Sequence, residues 1–175
     1  MRIKANCSIN SLREDLQVAH KTMAAWVEIL EKFYYHFRIY PFQSAVIKSL
    51  RKEPKIYLWD WSEIKDENAR FENIIASHLL KFCHFLFDRE GYKAQLFYLR
   101  DTEQREVDFL VAVDNKPWFC VEVKSSFKNI PSALRYFSHK LKIPFSLQVI
   151  KDKDIDIIKD GFRIISADKF LNGLI

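Results

Sequence analysis

Two stretches decide the fold: Glu106-Val107-Asp108-Phe109-Leu110-Val111-Ala112-Val113 and, after Asp114-Asn115-Lys116, Trp118-Phe119-Cys120-Val121-Glu122-Val123-Lys124. Both are short and rich in β-branched and aromatic residues, and turn-forming residues separate them, which is the pattern of a β-hairpin. Side chains alternate across a strand. Glu106, Asp108, Leu110 and Ala112 are therefore expected on one face of the first strand, with Val107, Phe109, Val111 and Val113 on the other. On the second strand Trp118, Cys120, Glu122 and Lys124 oppose Phe119, Val121 and Val123. One face is wholly apolar. The other is apolar near the turn and charged only at the far end. A loop of residues 114–116 pairs Val113 with Pro117, and that register sets Asp108 opposite Glu122 and Glu106 opposite Lys124.

Like charges directly opposite on a sheet repel, and burial penalises both. The pair needs a proton, an ammonium or a cation beside it. Mg²⁺ takes one or two carboxylates together with waters and phosphate oxygens, so Asp108 and Glu122 are candidate ligands, with the backbone carbonyl of Val123 as a third oxygen. Lys124 points the same way and is placed to orient a metal-bound water or to stabilise developing phosphate charge. The alternative is a solvated face with a cross-strand ion pair. That reading asks for polar residues along the whole face, whereas Leu110, Ala112, Trp118 and Cys120 are apolar.

Upstream, Phe71, Ile74, Ile75, Leu79, Phe82 and Leu86 form an apolar stripe on a helix over 67–87, capped by Asp66 and stopped by Gly91. A strand over 94–100 follows it. Downstream the pattern gives a helix over 131–140, strands over 145–150 and 162–165, and a short helix over 168–174. Helices and strands in this order predict an α/β fold with a mixed central sheet covered on both faces.

The first 60 residues have a different texture. They hold 10 basic and 6 acidic side chains, whereas residues 61–175 hold 18 and 17, so most of the net +5 is N-terminal. Ser11-Leu12-Arg13-Glu14 reads as a capping box at the start of a helix over 11–18, and Met23, Val27, Leu30, Tyr34 and Phe37 as the stripe of a second helix over 21–37. Ile39–Phe42 and Ile56–Trp59 then read as two strands flanking Lys48, Arg51, Lys52 and Lys55, a winged-helix hairpin with a basic wing. The competing reading is a helical hairpin packed on the core with solvated lysines. No helix is expected before Ser8, so the winged helix is partial. The expected organisation is a basic, partial winged-helix-like appendage over 1–60 and a core domain over 61–175.

Composition narrows the classes further. At 175 residues, 49% hydrophobic and with 3 Gly and 5 Pro, the chain is that of a packed domain and not a disordered or collagen-like one. Three Cys without C-x-x-C spacing argue against a disulfide framework or a zinc site and for a reducing, cytoplasmic setting. Charges interrupt every apolar run, so no membrane span is expected. His78 and His84 lie six apart and do not share a helix face, and no G-x-S-x-G elbow is present.

A helical Glu72, then Asp108 on one strand, then Glu122-x-Lys124 on the next resembles the PD-(D/E)xK nuclease superfamily, whose core is restriction-endonuclease-like. More narrowly, Arg70-Phe71-Glu72-Asn73, Glu106-Val107-Asp108-Phe109 and Val121-Glu122-Val123-Lys124-Ser125-Ser126, preceded by Pro54–Asp60, are similar to the uncharacterised C-terminal domain of AAA-type ATP-binding proteins of archaea and bacteria. The resemblance implies Mg²⁺ or Mn²⁺ at Asp108, Glu122 and Val123, hydrolysis of DNA phosphodiesters with Glu72, Asp108, Glu122 and Lys124 as the acting residues, and an AAA-type ATPase module upstream or in trans. Glu72 would reach the site through a metal-bound water, or serve only the helix dipole. No G-x-x-x-x-G-K-[ST] loop occurs, so ATP hydrolysis is not expected of this chain itself. Two functions follow: a metal-dependent nuclease, or a catalytically silent nuclease-like module that binds nucleic acid or the ATPase.

Overall fold

A computed structural model describes residues 9–44 and 53–174. Eight strands form one mixed sheet in the order β2-β1-β3-β4-β5-β6-β8-β7. They are β1 (His36–Pro41), β2 (Lys55–Leu58), β3 (Ala94–Arg100), β4 (Glu106–Val113), β5 (Lys116–Lys124), β6 (Phe145–Ile150), β7 (Asp156–Lys159) and β8 (Phe162–Ser166). The helices are α1 (Ile9–Leu16), α2 (His20–Lys32), α3 (Glu67–Glu90), α4 (Ser132–Leu141) and α5 (Ala167–Asn172). The α/β fold and the elements from residue 66 onward follow the sequence expectation, except that 156–159 form a strand on the sheet edge that the pattern did not announce.

The sheet separates two apolar layers. On one face Phe71, Ile75, Ala76, Leu79 and Cys83 of α3 and Phe170 of α5 pack against Phe109, Val111, Val121 and Val123. On the other, Leu134 and Phe137 of α4 meet Val107, Leu110, Ala112 and Cys120. Helix α3 begins where the Asp66 carboxylate accepts from Ala69 N at 2.7 Å, and it ends at Gly91, whose φ of 74° is the left-handed conformation glycine adopts without strain.

The central hairpin corrects two expectations. Asp114 and Asn115 both have positive φ (49° and 61°), giving the two-residue turn that Asp and Asn tolerate, so Val113 pairs with Lys116 and not with Pro117. An extra residue, Trp118, then bulges from β5, and beyond it Val111↔Phe119 through Phe109↔Val121 restore the register that was expected. The turn is one residue shorter than predicted and the bulge compensates. Trp118 consequently packs beside Phe82 on the α3 face, away from Cys120. A second bulge breaks strict alternation in β4. Between Phe97↔Leu110 and Leu99↔Val107, Asp108 and Phe109 together oppose the single residue Tyr98, so Val107 joins the α4 layer while Phe109 stays in the α3 layer.

The N-terminal segment departs more. Helix α1 already includes Ile9, so Ser11 lies within it and not at its cap. Helix α2 stops at Lys32, Tyr34 takes a positive φ of 56°, and Phe37, expected on the helix, is buried in β1. Leu30 and Tyr34 are exposed, leaving Met23 and Val27 as the buried part of the stripe. Strands β1 and β2 do pair antiparallel, His36 with Leu58, but β1 also pairs in parallel with β3. The hairpin expected to form a wing is thus one side of the central sheet. Lys48, Arg51 and Lys52 lie outside the described residues.

Candidate functional site

Helix α3 and strand β2 meet through Asn73. Its buried amide accepts from Leu58 N at 2.8 Å and donates to Leu58 O at 2.7 Å, replacing the partner strand that this edge lacks. The clamp fixes the residues just before it. Tyr57 donates its hydroxyl to Glu72 Oε1 at 2.7 Å, and Lys55 carries its ammonium into the same place. Lys55 Nζ lies 2.7 Å from Glu106 Oε1, 3.7 Å from Glu72 Oε1 and 3.9 Å from Asp108 Oδ1, with its side chain 7% exposed. Burial opposes its charge, but Asp108, Glu72 and Glu106 outweigh it and hold the Lys55 pKa above its ordinary value. Burial, with Asp108 beside it, raises the Glu72 pKa. The Glu106–Lys124 pairing expected from the register is not made: Glu106 pairs with Lys55 and, at 3.5 Å, with Arg100.

The β4 bulge brings Asp108 to this cluster. The paired register of β4 and β5 ends at Phe109↔Val121, and Val123 N donates to Asp108 Oδ2 at 2.8 Å. Glu122 is buried, its Oε1 2.6 Å from Lys124 Nζ and its Oε2 without a hydrogen-bond donor. Burial and then the Asp108 charge push its pKa up to about 7, against the pull of Lys124. Gln148, the register partner of Glu122 on β6, is buried too, and its Oε1 also lacks a donor.

Four carboxylates (Glu72, Glu106, Asp108, Glu122) thus face three cations (Lys55, Arg100, Lys124). Among the described residues no three acidic, imidazole or thiol groups already converge as a metal cage. The donor chemistry nevertheless fits a hard cation at the Asp108–Glu122 end, where the buried Glu122 Oε2 has no donor.

Residues 67–170, more than half of the chain, match DUF4143, a domain of unknown function. The chain belongs to the DUF4143 family. Residues 1–62 match a second domain of unknown function, DUF8612. The two matches divide the chain between 62 and 67, whereas the sheet of this DUF4143 member also takes in β1 and β2. No curated protein and no solved structure matches the chain. Among the described residues no helix is long and apolar enough to cross a membrane.

In this DUF4143 chain, a cleft of about 350 Å³ opens beside the cluster, walled by Asp66, Asn68, Glu72, Asp108, Lys124 and Ser125 among others. Ser125 Oγ donates to Asn68 Oδ1 at 2.6 Å, and Lys151 Nζ reaches Glu67 O at 3.1 Å on the same rim. Of the four residues expected from sequence, Glu72, Asp108 and Lys124 wall this cleft, whereas Glu122 lies outside its lining and meets the group through Lys124, and Val123 binds Asp108 through its N–H. Sequence reading missed Lys55, Tyr57, Asn68, Gln148 and Lys151. A lysine inside a strand-like run, Lys55-Ile56-Tyr57-Leu58, was the available signal for the first. Cys83 and Cys120 are buried thiols whose pKa burial raises to about 12, as inert residues should be.

Proposed function

We propose that this chain is a divalent-metal-dependent nuclease, with a restriction-endonuclease-like core, that hydrolyses DNA phosphodiesters. The observation that carries the reading is the Asp108–Glu122 pair, Asp108 half-buried at the cleft wall and Glu122 buried behind it with a donorless Oε2, beside the half-exposed Lys124 ammonium. Asp108, Glu122 and the Val123 carbonyl would hold Mg²⁺ or Mn²⁺. Bound there, the ion supplies Lewis acidity toward a phosphate oxygen and an acidified water.

The protein's own groups do the positioning. The Val123 N–H fixes one oxygen of Asp108, which keeps that carboxylate from turning away. Lys124 leans on Glu122 and can turn to a phosphate oxygen in the cleft, where its charge opposes the negative charge that builds up in phosphoryl transfer. Glu72, held by the Tyr57 hydroxyl, orients a water at the cleft wall. Lys151 at the rim adds a phosphate contact, and the basic N-terminal segment holds the duplex through sequence-independent contacts. The resemblance to the C-terminal domain of AAA-type ATP-binding proteins adds an ATPase module upstream or in trans, since this chain carries no phosphate-cradling glycine loop of its own.

A second reading, a silent nuclease-like module that binds nucleic acid or the ATPase, draws on Lys55, which already neutralises part of the carboxylate cluster. Melting temperature separates the two. With millimolar Mn²⁺ the native protein is expected to gain roughly 5–10 °C, the shift of an ion at about 100 times its Kd in a domain this size. Asp108→Ala should remove the gain. No Mn²⁺-linked shift in the native protein contradicts the nuclease reading and leaves the silent module.

A further inference from the structure

Lys55 stands apart from the other basic residues. Its ammonium comes from the sheet edge, is buried, and meets carboxylates from two different elements: Glu72 on α3, and Glu106 and Asp108 on β4. The Tyr57 hydroxyl donates to the same Glu72 oxygen, and Lys55 Nζ sits 5.3 Å from the centre of the Tyr98 ring. A structural ion pair needs one carboxylate. Here three carboxylates approach one buried ammonium, and with Arg100 3.5 Å from Glu106 the two cations still leave one formal negative charge over, more than a structural pair requires.

We propose that Lys55 takes the place of a second divalent cation. The site then holds one metal ion, at the Asp108–Glu122 end, and the Lys55 ammonium is the fixed positive charge at the Glu72–Glu106 end. This inference rests on the metal-dependent reading above and narrows it from a metal site of unstated number to a one-metal site. Asp108 is the shared group: Oδ1 faces Lys55 while Oδ2 takes the Val123 N–H. Lys55 is a positioning residue in this scheme. It keeps Glu72 and Asp108 from repelling each other out of line, and it supplies no activated water, because an ammonium binds none as a metal does.

The test counts Mn²⁺ bound per full-length chain by following free Mn²⁺ with electron paramagnetic resonance, in the native protein and in Lys55→Arg, Lys55→Met and Glu106→Gln. One ion is expected in the native protein and in Lys55→Arg, which keeps the charge, and two in Lys55→Met, which vacates the position. Glu106→Gln should keep its one ion with affinity within about threefold, since Glu106 belongs to the Lys55 end. Loss of that ion in Glu106→Gln, two ions in the native protein, or one ion in a Lys55→Met protein that melts cooperatively would each overturn the proposal while leaving the metal reading in place. No ion in any of the four would overturn the metal reading together with it. Should Lys55→Met not fold, the native and Glu106→Gln counts decide.

Discussion

Glu122 is buried against Asp108, and its pKa rises to about 7 for that reason. The folded state therefore favours the neutral carboxyl. Relative to an unfolded chain titrating near 4.5, the stabilisation is full below that value and is lost as pH climbs through about 7. In chelator, Glu122→Gln is expected to melt higher than the native protein at pH 8, by an amount on the order of 1–3 kcal/mol, and equally at pH 4, below the unfolded value. Thermal denaturation at the two pH values checks this; a variant less stable at pH 8 would mean that Glu122 is held as an anion without metal. Hairpin spacing gathers Asp108, Glu122 and Lys124 at one end of the two strands, because register is a local rule, but alternation puts Asp108 on the face of Leu110 and Ala112, and the bulge moves it to the α3 side. Lys55 was not legible. Its place beside Glu106 depends on a parallel β1·β3 pairing and on Asn73 gripping Leu58, contacts between residues far apart in sequence.

At the scale of elements, the site depends on how α3 starts and how β2 is held. Asp66→Ala removes the cap on Ala69 N and should cost about 1 kcal/mol, lowering the melting temperature by roughly 2–4 °C without changing the fold. Asn73→Ala is expected to be worse, at about 2–4 kcal/mol by denaturant unfolding, since it leaves both polar groups of buried Leu58 unpaired. It should also weaken any Mn²⁺ response, because Lys55 and Tyr57 precede the clamp. An Asn73→Ala protein as stable as the native one would show that β2 is held by its pairing with β1 alone. The cap and the glycine stop of α3 could be read directly from Asp66 and Gly91. The two bulges could not: each shifts pairing by one residue, and nothing in the run of Val, Phe and Leu marks where the extra residue sits. One of them, at Asp108–Phe109, is the feature that turns Asp108 toward α3.

At the scale of the whole molecule, the sheet unites regions that differ in charge and in family. Phe37, Ile39 and Tyr57 belong to the same apolar layer as Phe109 and Val121. A chain beginning at residue 61 is therefore expected to lose cooperative unfolding or to melt at least 10 °C lower, as calorimetry would show; an unchanged transition would mean that β1 and β2 add nothing to the core. The α/β class and the helix and strand order after residue 66 were legible because amphipathic periodicity survives in isolated segments. The role of 36–58 was not, because a strand pair reads alike whether it stands alone as a wing or joins a larger sheet. The most direct test of the account is cleavage of single- and double-stranded DNA in Mg²⁺ or Mn²⁺ by the native protein and by Lys124→Ala, which keeps the carboxylate pair. Cutting is expected to be metal-dependent and to fall at least about a hundredfold in the variant. No cutting by the native protein, or equal cutting by both, would contradict the nuclease reading.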